Sequence, residues 1–522
     1  MIGLGTMGAG IAEVLARGGL PVTAVEADAG ALARGMGIID GSLSRAVARG
    51  RMTEQDRAAV AGRITPAGSL ADLSGADLVI EVVPEQMPIK REIVTGLDAV
   101  LRPDAIIATN TSSLSVTTIA AHSAHPDRVI GMHFFNPAPV MKLVEVVTTV
   151  LTAPAAGAAV TGLARALGKT PVQVTDRAGF VANALLLPYL NHAIRLLETG
   201  YASREDIDLA VTAGIGLPMG PLTLLDLIGL DTSLAVLEVL QHEFGGSRYT
   251  PAPLLRRLTD AGRVGRKAGA GFYDYRQDGP GQAPGSDQAS NQDEPAAPGT
   301  VTVLAAPAAA GAGQPAGPGA AGHENAGRAA APDDPRADAL ARLIEQAGIT
   351  VTRYPGQPSD LVVVAVGPGG GVTGPATAAG RPNAVGLHLA APELAEIVAG
   401  PVTSGQAVAA ARALAGRLGL RSVRSPDRPG LLVGALLYPH LRDAVAMVGD
   451  GYAAPADVDA AMTLGCGYPR GPMTLLAEAG PDRAAAVLAA MHAAYGDPAF
   501  APHPLLADYV AAAVSPLEYP GR

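Results

Sequence analysis

The chain has 522 residues, of which 48% are hydrophobic and 3% aromatic, and its formal net charge is −10 at pH 7. This acidic balance, with no strongly basic run, argues against a nucleic-acid partner. The single cysteine, Cys466, excludes an internal disulfide and a thiolate metal site, so we predict no metal. The sequence has neither a long, strongly apolar run nor an N-terminal leader pattern, so we expect a cytoplasmic protein without a membrane partner.

The first element is a glycine run. Gly3, Gly5 and Gly8 form G-x-G-x-x-G at the start of a predicted helix, and the strand after that helix ends at Glu26. In dinucleotide-binding units the glycines let the backbone approach a pyrophosphate at the helix N-terminus, and the carboxylate binds the adenosine ribose. Because a carboxylate at position 26 repels a 2′-phosphate, the pattern predicts NAD and not NADP.

The strand expected before the glycine run is almost missing. Only Met1 and Ile2 precede Gly3, and two residues do not form the central strand of such a unit. We therefore expect the native protein to begin upstream of Met1. In the present chain we predict a short or frayed first strand, because little is left to pair with its neighbours.

From the glycine run to residue 175, short β-rich segments alternate with helical ones, which favours βαβ units and a mostly parallel sheet. Strands then disappear, and FVANALLLPYLNHAIRLLETG predicts a helix that ends at Gly200. The predicted fold class is α/β, with a Rossmann-type NAD-binding domain over 1–175 followed by an all-α domain over 176–276. The predicted strands lie at 21–27, 76–83, 105–110, 128–134 and 144–149.

Residues 277–338 are rich in Gly, Pro, Gln and Asp, and VTVL (301–304) is their one aliphatic run beyond alanine. Such a composition buries too little apolar surface to offset its ordering entropy. We therefore predict a disordered linker.

The sequence after this linker repeats the sequence before it. DRAGFVANALLLPYLNHAIRLLETGYA (176–202) recurs as DRPGLLVGALLYPHLRDAVAMVGDGYA (427–453), and GIGLPMGPLTLL recurs at the same offset as GCGYPRGPMTLL. We interpret residues 339–425 as a degenerate Rossmann remnant without a glycine run, and residues 426–522 as a second all-α domain. We expect the helical domains to pair as an intrachain pseudo-dimer, an arrangement that also permits a further homo-oligomer.

The segment HFFNPAPVMKLVEVV contains the candidate for acid–base chemistry. His133 ends one predicted strand, and Glu145 lies within the next, apolar strand. An unpaired carboxylate there costs several kcal/mol or becomes protonated, and the imidazole is its obvious partner. Glu145 would orient the ring and leave the other nitrogen as a general base, although a purely structural histidine fits the same spacing. The remnant echoes the pair in His388 and Glu396, which we expect to be inactive.

Five segments, in this order and spacing, resemble the 3-hydroxyacyl-CoA dehydrogenase family: GLGTMGAGIAE, NTSSLSVTTIA, GMHFFNPAPVMKLVEVV, DRAGFVANALLLPYLNHA and GRKAGAGFYDY. The resemblance is close over 1–275 and loose over 340–515, in the layout of bacterial two-copy 3-hydroxybutyryl-CoA and 3-hydroxyadipyl-CoA dehydrogenases. It implies NAD-dependent oxidation of an (S)-3-hydroxyacyl-CoA, such as 3-hydroxybutyryl-CoA, to the 3-ketoacyl-CoA. The implied setting is fatty-acid or aromatic-acid (phenylacetate) catabolism.

The resemblance also implies roles for single residues. His133 matches the catalytic base, Glu145 its orienting carboxylate, Ser112 a serine that binds substrate, and Asn183 an asparagine near the substrate carbonyl. The residues that match positions near the cofactor are Gly3, Gly5, Gly8, Glu26, Glu85, Lys90, Asn136 and Lys267. The residues that match CoA or substrate contacts are Ser42, Ser112 and Arg49, the last of which replaces a lysine. Each has an ordinary alternative, such as a helix N-cap for the serine or a solvated surface charge for the lysines.

Three alternatives stay open at this point. A G-L-G-x-M-G start is also typical of 3-hydroxyisobutyrate and 6-phosphogluconate dehydrogenases, which use a lysine, although the HFFNP and KLVEVV segments argue against them. A dehydrogenase specific for 3-hydroxyadipyl-CoA fits the same motifs. So does an inactive relative that binds CoA or a protein partner.

Overall fold

The computed structural model describes residues 1–276, 297–305, 334–352, 359–368 and 384–518. The described residues form two α/β units, each followed by a helical domain, in the order predicted. Most of the predicted linker, at 277–296 and 306–333, lies outside the described residues.

The first unit is a mostly parallel sheet flanked by helices, which confirms the predicted fold class. Its strands are β1 Val22–Val25, β2 Ile64–Ala67, β3 Leu78–Glu81, β4 Ile106–Thr109, β5 Val129–Phe134, β6 Leu143–Thr148 and β7 Thr170–Thr175. Its helices are α1 Thr6–Arg17, α2 Ala29–Ala48, α3 Glu54–Ala61, α4 Met87–Asp98, α5 Val116–Ala120 and α6 Pro154–Ala166. The strand order is β3-β4-β5-β6-β7 with β1 and β2 as a separate pair, and only β5 and β6 run antiparallel.

All five predicted strands of this unit are present. The two strands absent from the prediction, β2 and β7, contain Pro66 and Pro171, and each lies at the edge of its sheet. Proline removes a ladder donor and is tolerated mainly at edges, so it obscures an edge strand in the sequence.

Ile2 joins the two parts of this sheet. It forms parallel bridges to Val25 in β1 and to Glu81 in β3. Its amide donates to the carbonyl of Ile80 at 3.0 Å, and its carbonyl accepts from the amide of Val82 at 2.8 Å. The predicted short first strand is therefore confirmed.

The first helical domain follows β7 and contains no strand among its described residues, as predicted. Its helices are α7 Ala182–Glu198, α8 Arg204–Leu209, α9 Pro221–Ile228, α10 Leu230–Phe244, α11 Gly246–Tyr249 and α12 Pro253–Asp260, with a π-helical turn at Ala210–Ile215. Gly200 follows α7 with φ of 69°, the left-handed conformation that favours glycine after a helix.

The second α/β unit begins earlier than predicted. Strand β8 (Thr300–Ala305) and the start of helix α13 (Pro335–Gln346) fall within the predicted linker of 277–338. The prediction of disorder is wrong for these residues, and the remnant does not begin at residue 339. Composition misleads here because β8 buries its short aliphatic run between strands that lie far away in the sequence.

The remaining elements of this unit are β9 Thr350–Thr352, β10 Leu361–Ala365, β11 Val385–Ala391, β12 Leu394–Ala399, α14 Gly405–Arg417 and β13 Arg421–Pro426. Among the described residues of this unit the strand order is β13-β12-β11-β10-β8-β9, and only β11 and β12 run antiparallel. Thus β8, α13 and β9 form a βαβ unit like the start of the first copy. By the repeat, β10 matches β3 and β11 matches β5, and these two strands pair directly with no counterpart of β4 between them.

The second helical domain contains α15 Leu431–Gly449, α16 Pro455–Cys466, α17 Pro472–Ala479, α18 Pro481–Tyr495 and α19 Pro504–Ala512. Helix α15 packs on α7, and one apolar core runs through both helical domains. Tyr189 and His440 occupy equivalent positions in the repeat, and their rings meet with centroids 4.9 Å apart. Contact between equivalent residues is the mark of an isologous, two-fold interface. Among the described helices α15 alone is long and apolar enough to cross a membrane. Of its most apolar 18-residue segment, 83% is buried inside the protein.

A buried carboxylate joins the second sheet to the second helical domain. Glu396 in β12 is 1% exposed and accepts the amides of Leu432 and Val433 at 2.7 and 3.0 Å, at the start of α15. Burial raises the pKa of Glu396 from 4.5 to about 7, against the effect of these two hydrogen bonds.

This pKa makes stability depend on pH. Because the folded-state pKa lies above the ordinary value, the proton on Glu396 stabilises the folded protein below about pH 4.5, and this contribution is lost as the pH rises through about 7. We expect the unfolding free energy of the wild type to fall relative to that of Glu396→Gln between about pH 5 and pH 8, by up to roughly 3 kcal/mol. Chemical denaturation at several pH values measures this, and the exposed Glu393→Gln is the control. Parallel pH profiles for all three proteins would contradict it.

Candidate active site

The predicted histidine–glutamate pair is present in the first copy. Antiparallel pairing of β5 with β6 sets His133 directly opposite Glu145, and the imidazole Nδ1 lies 2.7 Å from Oε2 of the carboxylate. The other carboxylate oxygen, Oε1, accepts the amides of Val181 and Ala182 at 3.0 Å each, at the start of α7. With the carboxylate accepting this hydrogen bond, Nδ1 is the donor, and Nε2 is the ring nitrogen that lies outside the pair.

Aromatic rings and a strained residue hold the imidazole in place. The ring of His133 lies 4.6 Å from that of Phe135 and 5.7 Å from that of Phe180, measured between centroids. Phe180 has φ of 49°, a left-handed conformation that is costly for a bulky residue and persists only where the surroundings impose it. It turns the chain so that the first amides of α7 face Glu145. At the end of β4, the side-chain oxygen of Asn110 accepts the amide of Phe134 at 2.7 Å and so fixes the end of β5.

Ser112 and Asn183 lie beside this pair. The side-chain amide of Asn183, the second residue of α7, is 3.4 Å from the carbonyl oxygen of Ser112. The amide of Ser112 donates to Glu85 at 2.9 Å, and its hydroxyl lies 3.4 Å from the same carboxylate oxygen. The start of α7 therefore brings together the loop after β4 and the His133–Glu145 pair.

Lys90 lies buried in a charge cluster with Glu81, and Glu85 forms the exposed edge of that cluster, with its side chain 36% exposed. Lys90 is 1% exposed, and its ammonium lies 2.8 Å from Glu81 and 3.4 Å from Glu85. Burial alone would raise the pKa of Glu85, but the charge of Lys90 and hydrogen bonds from Thr111, Ser112 and Ser113 outweigh it and lower that pKa. The cluster keeps a carboxylate ionised next to the loop that carries Ser112.

Glu81 is missed by the sequence analysis. It is fully buried in β3 and also accepts the hydroxyl of Thr109 at 2.8 Å. The argument that singled out Glu145, a carboxylate inside an apolar strand, applies equally to Glu81 in LVIEVV, with Lys90 nine residues later as its partner.

The glycine run fits a dinucleotide. Gly3 has φ of 85°, and a Cβ there would lie 2.6 Å from the carbonyl oxygen of Val82. A Cβ on Gly8 would lie 1.9 Å from the carbonyl oxygen of Gly3, so only glycine lets α1 pack against the loop. At Gly5, which caps α1 without a side-chain hydrogen bond, a Cβ would meet nothing within 4 Å. The loop is thus closed on the protein side and open where a pyrophosphate would approach the helix N-terminus.

Glu26 stands at the end of β1, next to this loop. One of its oxygens accepts the amide of Leu4, within the glycine run, and the other accepts the amide of Ala27 at 3.0 Å. The half-buried carboxylate is therefore fixed beside the loop, as expected for a group that binds the ribose.

For four other predicted residues the structure gives a position, but among the described residues it gives no hydrogen bond or ion pair with the His133–Glu145 pair or the glycine run. Asn136 is exposed in the loop between β5 and β6, close in sequence to His133. Ser42 and Arg49 lie two helical turns apart, within and just after α2, and thus on one face of that helix. Lys267 forms a 2.7 Å ion pair with Asp231 inside the helical domain, and not with a residue of the α/β unit.

In the second copy, the corresponding residues His388 and Glu396 do not form the hydrogen bond that joins His133 to Glu145. His388 and Glu396 are also opposite each other in an antiparallel strand pair. However, Nδ1 of His388 donates to the carbonyl of Val366 at 3.0 Å, and its Nε2 lies 3.9 Å from Glu396, beyond hydrogen-bond distance. Burial also lowers the pKa of His388, which keeps the ring neutral.

Known proteins are similar to this chain in sequence over most of its length. Residues 1–177 match the 3-hydroxyacyl-CoA dehydrogenase NAD-binding domain, and residues 179–275 and 430–516 match its C-terminal domain. A 3-hydroxyadipyl-CoA dehydrogenase of Escherichia coli K12 is 32% identical over 507 residues, 97% of this chain and 96% of that protein. A 3-hydroxybutyryl-CoA dehydrogenase of Mycobacterium tuberculosis H37Rv is 48% identical over 277 residues, 53% of this chain and 97% of that protein.

A solved structure matches this chain over almost its whole length. The crystal structure of a 3-hydroxybutyryl-CoA dehydrogenase from E. coli K12 aligns with a TM-score of 0.77 at 31% identity, covering 98% of this chain and 97% of that one. These matches confirm the predicted resemblance and the NAD-binding domain, and they decide against the lysine-dependent families. The chain belongs to the 3-hydroxyacyl-CoA dehydrogenase family, oxidoreductases that act on a CH–OH group with NAD.

Proposed function

We propose that this chain oxidises the 3-hydroxyl group of a short-chain (S)-3-hydroxyacyl-CoA, with His133 as the general base. The observation that carries the proposal is the fully buried Glu145, which binds Nδ1 of the imidazole and leaves Nε2 as an acceptor. When bound, NAD would accept the hydride that leaves the reacting carbon.

Each neighbouring residue has a task in this proposal. Nε2 of His133 accepts the proton of the substrate hydroxyl, and Glu145 stabilises the resulting imidazolium. Ser112 and Asn183 hydrogen-bond the oxygen atoms around the reacting carbon, which fixes the hydroxyl against the base. Ser42 and Arg49, on one face of α2, contact the CoA moiety.

We favour 3-hydroxybutyryl-CoA as the substrate, because the relative with 48% identity carries that name. 3-Hydroxyadipyl-CoA is a second candidate, since the relative that matches 97% of this chain is named for it. A free adipyl carboxylate would need a cation at the far end of the acyl pocket. The substrate would decide between fatty-acid and aromatic-acid catabolism, for which we propose a cytoplasmic location.

We further propose that each chain has one active site and that its two helical domains replace the subunits of a dimer. The contact between Tyr189 and His440, equivalent residues of the repeat, supports the pseudo-dimer. The disengaged ring of His388 supports a single site.

The first test removes the two histidines one at a time. We expect His133→Ala to lower kcat/KM for 3-hydroxybutyryl-CoA by about 10²–10⁴-fold, because it removes the base. His388→Ala is the matched control and should leave turnover close to wild type. NADH formation measures both, and two equivalents of NAD bound per chain or equal losses in the two variants would contradict a single site. A wild type with no turnover would favour the inactive relative.

The second test compares the two substrates on the wild-type enzyme. We expect kcat/KM for 3-hydroxybutyryl-CoA to exceed that for 3-hydroxyadipyl-CoA by about tenfold or more, since an uncompensated carboxylate is costly to bury. Acetoacetyl-CoA and its adipyl analogue, reduced with NADH, check the reverse direction. A preference for the adipyl substrates would support the second candidate.

The third test concerns the choice of cofactor. We expect Glu26→Ala to weaken NAD binding and to raise the ratio of NADP to NAD activity by about tenfold, because a hydrogen bond and a repulsive charge are both removed. Asp28→Ala removes a nearby carboxylate, the N-cap of α2, and serves as the control. Unchanged affinities for both cofactors in Glu26→Ala would place Glu26 away from the ribose.

A further inference from the structure

A helix of the second copy reaches the candidate active site of the first. Helix α16 packs against β6 and β7, the strands that carry and follow Glu145. Just before this helix, the hydroxyl of Tyr452 donates to the carbonyl of Thr175, at the end of β7, at 2.9 Å. The second helical domain therefore packs against the sheet of the other copy as well as against the other helical domain.

Gly465, near the end of α16, lies against Phe135, two residues after His133, and against Leu143, two residues before Glu145. A Cβ on Gly465 would lie 2.6 Å from Cδ2 of Leu143 and 3.0 Å from Cε1 of Phe135. Leu143 is fully buried at the start of β6, so it has little room to move. The ring of Phe135 in turn lies 4.6 Å from the ring of His133, so a side chain at position 465 would press on the aromatic neighbour of the imidazole.

The electrostatic environment of the same helix agrees with this placement. Burial and then the negative charge of Glu145 raise the pKa of Cys466, the residue after Gly465, to about 12. Burial and the same carboxylate also raise the pKa of Tyr452. The charge of Glu145, which binds His133, thus also affects the pKa values of two residues of the second copy.

We infer that Gly465 of the second copy is a positioning residue for His133, acting through Phe135. Because it has no side chain, Gly465 lets Phe135 lie where its ring supports the imidazole in line with Glu145. The second copy then serves catalysis in the first copy, beyond covering its apolar surface. This inference rests on the proposed role of His133 as base.

The repeat supplies a matched control at Gly214, the equivalent residue of the first helical domain. A Cβ on Gly214 would lie 2.8 Å from Cγ2 of Val433 and 3.0 Å from Cδ2 of Leu394. Leu394 begins β12 as Leu143 begins β6, so the crowding is similar. The crowded atoms at Gly214 belong to α15 and to the second sheet. That sheet carries His388, which makes no hydrogen bond to Glu396.

The experiment compares Gly465→Ala and Gly214→Ala in the full chain with His133→Ala. We expect both glycine variants to lower the melting temperature by similar amounts. Gly465→Ala should also lower kcat by about tenfold with a smaller effect on KM, and should shift the acidic limb of the pH profile of kcat/KM, because the imidazole is displaced. Gly214→Ala should keep the wild-type kcat and pH profile. Equal kcat values and unmoved profiles in the two glycine variants would overturn the inference.

A second variant covers the case in which Gly465→Ala folds poorly. Phe135→Leu in the Gly465→Ala background removes the crowded ring edge but leaves the 2.6 Å approach to Leu143, so we expect it to recover part of the stability but not the wild-type pH profile. Recovery of both would show that the ring does not position His133 and would overturn the inference. If His133→Ala is fully active, the proposed function fails. If His133→Ala is inactive and Gly465→Ala behaves like Gly214→Ala, only the positioning role fails.

Discussion

A fully buried carboxylate at the junction of sheet and helical domain is the interaction on which the rest of this structure depends. Glu145 is removed from water, and such a charge is tolerated only when hydrogen bonds replace its hydration. It receives them from His133 and from the first amides of α7, so one side chain fixes the imidazole and docks the helical domain onto the sheet. The left-handed Phe180 makes this geometry accessible. Any change that moves α7 therefore moves the candidate base as well.

The second copy keeps this junction but not the hydrogen bond between histidine and carboxylate. Glu396 holds the amides at the start of α15 as Glu145 holds those of α7, and Leu431 repeats the left-handed φ of Phe180. His388 has turned to a backbone carbonyl instead. The carboxylate thus has a structural role in both copies, and only in the first is it combined with an engaged imidazole. A histidine contributes one hydrogen bond and can be released, whereas the helix junction cannot be lost without exposing an apolar face.

Pairing of the two helical domains also brings each copy into contact with the sheet of the other. Tyr452 reaches the end of β7 in the first sheet, and the π-helical turn that contains Gly214 packs against β11 and β12 of the second sheet. Gly465 and Gly214 make the matching close approaches. A duplicated chain can retain a degenerate copy for this reason alone, because the first copy is packed against it on two sides.

The sequence by itself determined the fold class, the glycine run with Glu26, the repeat, and the pairing of His133 with Glu145, because these follow from local periodicity and from the cost of a lone buried charge. The prolines of β2 and β7, and the Gly/Pro-rich surroundings of β8, concealed strands whose burial depends on distant partners. Only the tertiary structure decided that Lys90 is buried with Glu81, that His388 is disengaged and that α16 lies against β6. These are contacts between segments far apart in the chain or choices of side-chain orientation, and no local pattern of residues encodes them.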